Sequence, residues 1–169
     1  MSNTKRKWYI VYTKPKAEKI AQENLSRQGF EIYLPVLRRL QRQRGRRVTI
    51  VAPMFPRYLF IHLSSDTDNW SPIRSTRGVA SLVRFGLHPG SIPDGLIKMM
   101  KSREDASGVQ VIPGDEYRAG TRIRMVEGGM KGYEGVYLAR NSRDRIVVLL
   151  EIMGRHTRAN VDVSAVEPA

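Results

Sequence analysis

The sequence predicts an α+β chain: an N-terminal α/β sandwich, an acidic linker and a small C-terminal β-barrel. Three observations support that division. Between Trp8 and Met100 the apolar residues switch repeatedly between strand and helix spacing. From Thr121 to Val166 short β-branched and aromatic runs are punctuated by glycine. The charge divides in the same places, with 19 Lys and Arg against 6 acids in residues 1–101, 1 against 4 in residues 102–116, and 9 against 6 in residues 117–169. The first segment alone thus equals the whole net charge of +13, the other two cancelling.

Within the sandwich, Trp8-Tyr9-Ile10-Val11-Tyr12 reads as a first strand, and Pro15 suits a first helical position, where its missing N–H has no helical partner in any case. Ala17, Ile20, Ala21, Leu25 and Gln28 recur at three and four residues, an amphipathic helix that Gly29 stops. Phe30–Leu37 and Val48–Val51 read as two strands. The stretch joining them holds six arginines, Arg38, Arg39, Arg42, Arg44, Arg46 and Arg47, and predicts a hairpin with a basic tip. Tyr58–Leu63 alternates between two faces, with Leu59, Ile61 and Leu63 toward a core and Tyr58, Phe60 and His62 on the other side. That other side is either an exposed aromatic surface or the floor of a second layer. Val79–Phe85 gives a further strand, and Ile92-Pro93-Asp94 opens a helix with Leu96, Ile97 and Met100 on one face.

Ser102–Gly120 has linker composition, with acids, Ser107-Gly108 and Pro113-Gly114-Asp115. Beyond it, Thr121–Glu127, Gly135–Ala139, Arg145–Ile152, Thr157–Val163 and Ala165-Val166 read as the strands of a small barrel. One segment is ambiguous, because Ile146, Val147, Leu149, Leu150 and Met153 also fit helical spacing. Gly128, Gly129, Gly132 and Gly135 favour turns over a preceding helix, since each costs roughly 1 kcal/mol in a helix interior.

Six arginines on one short connection fit a partner of dense negative charge, of which a polynucleotide backbone is the commonest, although a solvated loop is also consistent with an isolated basic run. The 41% apolar content suffices for packed cores. With no cysteine there is no disulfide framework, thiol catalysis or Cys-type zinc site. Lys5-Arg6-Lys7 is followed by too short an apolar run for a signal peptide, and no run approaches a membrane span, which predicts a cytoplasmic protein.

The blocks Trp8–Tyr12, Pro53-Met54-Phe55-Pro56-Arg57-Tyr58-Leu59-Phe60-Ile61, Arg74-Ser75-Thr76-Arg77-Gly78-Val79 and Val83-Arg84-Phe85-Gly86 resemble the NusG family of transcription elongation factors. The last two of these together are most similar to the RfaH-type specialised paralogues. Gly128–Val136 and Ile152–Thr157 resemble that family's KOW domain. The resemblance spans nearly the whole chain in order. It implies an NGN domain at residues 1–101, an α/β sandwich with a central antiparallel sheet, then a linker at 102–116 and a KOW β-barrel at 117–169. Some RfaH-type tails fold instead as an α-helical hairpin docked on the N-terminal domain, and the dual pattern at Arg145–Met153 leaves that alternative open.

The resemblance further implies a monomeric factor that docks on the β′ clamp helices of RNA polymerase, binds non-template and upstream DNA, and suppresses pausing and termination, with possible coupling to translation. The polymerase-contacting positions match Tyr12, Tyr58, Phe60, Phe85, Ile97 and Met100. Roles in nucleic-acid binding transfer to Lys14, Asn24, Thr76 and Arg77, with Arg74, Arg44, Arg46 and Arg47 as added candidates. Met130, Tyr133, Ile152 and Met153 would meet a C-terminal partner, either the NusE-type ribosomal protein or Rho. Three places depart from the RfaH pattern. Asn69-Trp70-Ser71-Pro72 replaces a small hydroxyl-rich run, Ala17 stands where a polar residue would help contact DNA, and Gly154-Arg155-His156-Thr157 is more similar to general NusG.

Two other classes fit less well. An enzyme is not indicated, because His62, His88 and His156 are scattered and Gly128–Gly135 lacks the Lys-Ser/Thr of a phosphate loop; no catalytic residue, metal ligand or cofactor site is assigned. A ribosomal or general RNA-binding KOW protein should carry its excess charge on the barrel, whereas residues 117–169 hold only 9 bases against 6 acids.

Overall fold

The computed structural model describes residues 6–65, 68–111, 119–142 and 144–169. The chain forms two compact units, one built from Met1–Leu82 and Ser91–Ile112, the other from Val83–Gly90 and Pro113–Ala169. In chain order, the first unit holds β1 (Arg6–Thr13), α1 (Glu18–Arg27), β2 (Glu31–Tyr33), β3 (Val36–Gln43), β4 (Arg46–Pro53), β5 (Tyr58–Ser64) and β6 (Val79–Leu82). The short hairpin β7 (Arg84–Phe85) and β8 (His88–Pro89) belongs to the second unit. The first then resumes with β9 (Ser91–Ile92), α2 (Asp94–Ser102) and β10 (Val109–Gln110). The second continues with β11 (Arg122–Met125), β12 (Glu134–Arg140), β13 (Arg145–Ile152), β14 (Arg155–Asp162) and β15 (Val166–Pro168).

The main sheet of the first unit runs β2-β5-β1-β6, with β9 paired to the start of β1, and every pairing is antiparallel. On one face Tyr9, Val11, Leu59, Ile61 and Leu63 pack with Ala21 and Leu25 of α1. The apolar spacing of that helix thus meets the alternation of two strands. Its start differs from the sequence expectation: α1 begins at Glu18, because Lys16 adopts φ 58° and leaves Pro15 in the connecting turn. Gly29 ends it at φ 89°, as expected.

The opposite face is covered as well, which corrects the idea that its aromatics simply project. Tyr33 and Phe60 stand opposite each other in the ladder, and Phe55 packs edge-on to Phe60 with ring centroids 5.6 Å apart. His62 stacks on Trp8 at 4.5 Å. From the end of α2, Lys101 Nζ lies 5.1 Å over the Trp8 ring and 5.3 Å over that of Tyr33. Two-residue alternation marks the side of a strand a residue occupies, not whether another element lies over that side.

The strand expected over Phe30–Leu37 divides at Leu34-Pro35. Pro35 has no N–H to give a ladder, and the chain leaves the main sheet there for a second one ordered β10-β3-β4. Residues 102–111, expected as linker, continue the first unit. Val109 and Gln110 pair in parallel with Val36 and Leu37, and the Gln110 amide donates to the Tyr33 hydroxyl and the Met100 carbonyl. The remainder of the expected linker, residues 112–116, lies outside the described residues.

The second unit is a five-stranded antiparallel sheet ordered β14-β13-β12-β11-β15. Arg145–Ile152 is a strand paired along its length with β14, so its side chains take the two-residue repeat rather than the helical one. Ile123, Tyr137, Ile146, Val148 and Leu150 form the core. At Gly135 a Cβ would collide with the Leu149 carbonyl, which explains a glycine inside a strand. Across the surface, Arg122 and Arg124 both pair with Glu134, and these guanidiniums hold its carboxyl below the usual range.

Candidate functional site

The end of β1 brings several of the expected site residues together. Tyr12 stands opposite Tyr58 in the ladder with ring centroids 5.2 Å apart, and the pairing of β1 with β6 shifts register between Tyr12 and Thr13. Such a bulge turns the strand and re-aims the residues that follow. Lys14 comes next, its N–H donating to the Gly78 carbonyl at 2.9 Å. Lys14 and Arg77, both expected at nucleic acid, are thereby one backbone hydrogen bond apart along the chain path.

Arg57 lies at the centre of this corner, and sequence reasoning did not single it out. The Tyr58 N–H donates to the Phe55 carbonyl, closing a turn with Pro56 second and Arg57 third. Arg57 has φ 73° there, a position usually held by Gly or Asn, and a side chain in that conformation costs about 1 kcal/mol. Four contacts hold it. Its N–H donates to Oε1 of the buried Glu18 at 3.0 Å, and its carbonyl accepts from the Thr13 N–H at 2.8 Å. Its Nε donates to the Thr13 carbonyl at 3.0 Å, and the guanidinium lies 4.1 Å over the Tyr12 ring. The Pro-Arg-Tyr order was the available signal, because proline followed by a non-glycine predicts a turn that needs support.

Beside this corner the turn of residues 71–78 crosses the first turn of α1. Gly78 has φ 90°, and a Cβ on it would lie 2.8 Å from the Ala21 nitrogen and 3.1 Å from the Ala17 oxygen. The close approach fixes the turn that carries Arg74 and Arg77, both exposed. Thr76 is placed differently from its expected role: it is 7% exposed, its hydroxyl donating to the Pro72 carbonyl and accepting from the Gln28 amide. It shapes the turn. Asn24, half-buried on α1, already donates its amide to the Ile20 carbonyl at 2.7 Å.

The six arginines do not sit on a loop. They run along β3 and β4, and only Arg44-Gly45 forms the turn, with φ 51° and 76° as a two-residue hairpin of this twist requires. Arg42 and Arg47 are directly opposed, a like-charge pair that destabilises a ladder unless a polyanion neutralises it. Leu40 and Val51 are exposed on the same strands. Arg38 is engaged separately: it donates to Asp105 Oδ2 at 2.7 Å and to Ser107, fastening residues 104–110 to the hairpin.

Of the residues expected at RNA polymerase, Tyr12 and Tyr58 are half-buried and in ring contact. Phe60, Ile97 and Met100 are 1%, 1% and 6% exposed in the layer that includes α2. Phe85 is half-buried in the second unit, its ring packed on Gly90. In the tail, Met130 and Ile152 pack against the core cluster, Tyr133 is half-buried, and Met153 is 90% exposed in the turn between β13 and β14. Among the described residues no cluster of His, Asp or Glu has the grouping of a metal site, and no helix is long and apolar enough to cross a membrane.

A sandwich carrying a basic hairpin, followed by a small β unit, defines a class that comparison with known proteins resolves. The family described as transcription termination factor NusG matches residues 6–101, and the chain belongs to the NusG family. It is 22% identical to the transcription termination/antitermination protein NusG of Neisseria meningitidis, over 96% of this chain and 97% of that one. Against the protein of the same name from Escherichia coli the identity is 23%, over 98% and 97% of the two chains. Among solved structures, Thermotoga maritima NusG aligns at 22% identity over 97% of each chain, with a TM-score of 0.35.

Proposed function

We propose that this chain is a transcription elongation and antitermination factor of RfaH type, which docks on the β′ clamp helices of RNA polymerase and contacts non-template DNA. The observation that carries this reading, beside family membership, is the corner where the Tyr12–Tyr58 pair adjoins Lys14 and the Arg74–Arg77 turn. Paired tyrosines offer large contact area at low entropic cost, and Tyr and Arg are the residues enriched at interface hot spots. Lys14, Arg74 and Arg77 carry DNA contact with Asn24 alongside, while Thr76 holds the turn. Arg44, Arg46 and Arg47 extend an electrostatic hold along upstream duplex. The second unit acts as a KOW domain, offering Met153 with Met130, Tyr133 and Ile152 to the NusE-type ribosomal protein or to Rho.

Tyr58→Ala should weaken polymerase binding by about 2 kcal/mol, as truncation of an interface hot spot does. Wild-type affinity in the Tyr12→Ala/Tyr58→Ala double variant refutes the docking model. Phe60→Ala is a poor substitute, because it opens a cavity beside Phe55 and Tyr33. A second reading, a general NusG-type factor, draws on the names of the relatives. Chromatin profiling of the tagged protein beside polymerase separates the two: occupancy of a few long operons supports the RfaH role, and occupancy of all genes the general one.

A further inference from the structure

We propose that the Arg57 guanidinium receives a carboxylate of the protein on which the Tyr12–Tyr58 face docks. The inference rests on the polymerase-docking reading and names the chemistry its partner must bring. Three features carry it. First, the guanidinium is immobilised before any partner arrives: one face rests on the Tyr12 ring, and Nε is taken by the Thr13 carbonyl. Second, the Nη edge remains. No described residue accepts from those two amines, and Arg57 forms no ion pair with a described acid, although the buried Glu18 takes its backbone N–H. Third, the chain keeps an arginine at φ 73° where glycine would fit without strain, which points to use of the side chain itself.

A planar guanidinium with its plane fixed and its two Nη donors unused by described residues matches a carboxylate in the two-bond arrangement, where Lys offers only a point charge. The half-buried setting against the Tyr12 ring favours a protein carboxylate over a phosphate. Aromatic neighbours exclude water once a partner closes over them, and that strengthens the paired charges. The arginines suited to a polynucleotide backbone lie elsewhere, exposed along the hairpin.

Arg57→Gly provides the decisive test, because glycine accepts the turn conformation and keeps the backbone bonds to Glu18 and Thr13. Binding of Arg57→Gly, Arg57→Lys, Tyr58→Ala and wild type to RNA polymerase core enzyme, and separately to a single-stranded oligonucleotide, is measured at two salt concentrations. The expected result is that Arg57→Gly and Arg57→Lys each bind polymerase at least tenfold more weakly and bind the oligonucleotide as wild type does, both with a circular dichroism spectrum like that of wild type. Wild-type polymerase affinity in Arg57→Gly, with Tyr58→Ala weakened, overturns the inference and leaves the docking reading standing. A loss confined to the oligonucleotide also overturns it, because the guanidinium then serves a phosphate. Wild-type polymerase affinity in all three variants removes the docking reading and this inference together.

Discussion

The arginines of the β3–β4 hairpin and the single Arg57 at the end of β1 are the same residue used in opposite ways. Along the hairpin the side chains are exposed, two of them face each other across the ladder, and among the described residues only Arg38 has an acidic partner. Their effect is a field, which attracts a polyanion without regard to its sequence. Arg57 is held by Thr13, Glu18 and Tyr12, which fix the plane of its guanidinium. Its effect is geometric. Charge count therefore says little about specificity, which depends on how many of an arginine's own degrees of freedom the fold has already removed.

The largest expected effect tests whether the geometric corner depends on close backbone packing. Gly78→Ala places a methyl 2.8 Å from the Ala21 nitrogen in a residue at φ 90°, and should destabilise the fold by about 3 kcal/mol or more in urea unfolding. A change below about 0.5 kcal/mol would mean that the turn bearing Arg74 and Arg77 is not fixed by α1. Next comes the field itself. Replacing Arg42, Arg44, Arg46 and Arg47 by Gln should reduce the slope of log affinity for duplex DNA against log salt by up to about 3.6, with stability equal to wild type or raised by relief of the Arg42–Arg47 repulsion. An unaltered slope would assign the field to other residues.

The smallest effect concerns the one hairpin arginine that has been fixed. The Arg38 guanidinium beside Asp105 holds that carboxyl well below its usual value of 3.8. Because the folded value is the depressed one, the stabilisation is fully present above the ordinary carboxylate range and is lost as pH falls through the depressed value. Asp105→Asn should therefore lower stability at neutral pH, and the difference from wild type should vanish under strong acid. A difference independent of pH would show that the contact of Arg38 with Asp105 works through packing instead.

Much of this was legible in residue order. Leu59, Ile61 and Leu63 announced a core face, and the burial of all three agrees. The pattern at Arg145–Ile152 fitted helix and strand alike, and pairing with both β12 and β14 decides it, which no local period could do. The hairpin was legible as a feature but not in extent, because a strand rich in arginine lacks the apolar alternation by which strands are recognised. Thr76 shows the same limit on a smaller scale. Its sequence neighbourhood, two arginines and a serine, gives no sign that Gln28, forty-eight positions away, satisfies its hydroxyl.

By itself the sequence determined the division of charge, the core face of β5 and membership of the NusG family, since all three depend on residue types and their spacing. Tertiary structure alone decided that Phe60, Ile97 and Met100 are buried, that Thr76 faces inward, and that Arg57 is clasped at the end of β1. Each of these depends on a second element lying over the first, and periodicity along one segment carries no information about what another segment covers.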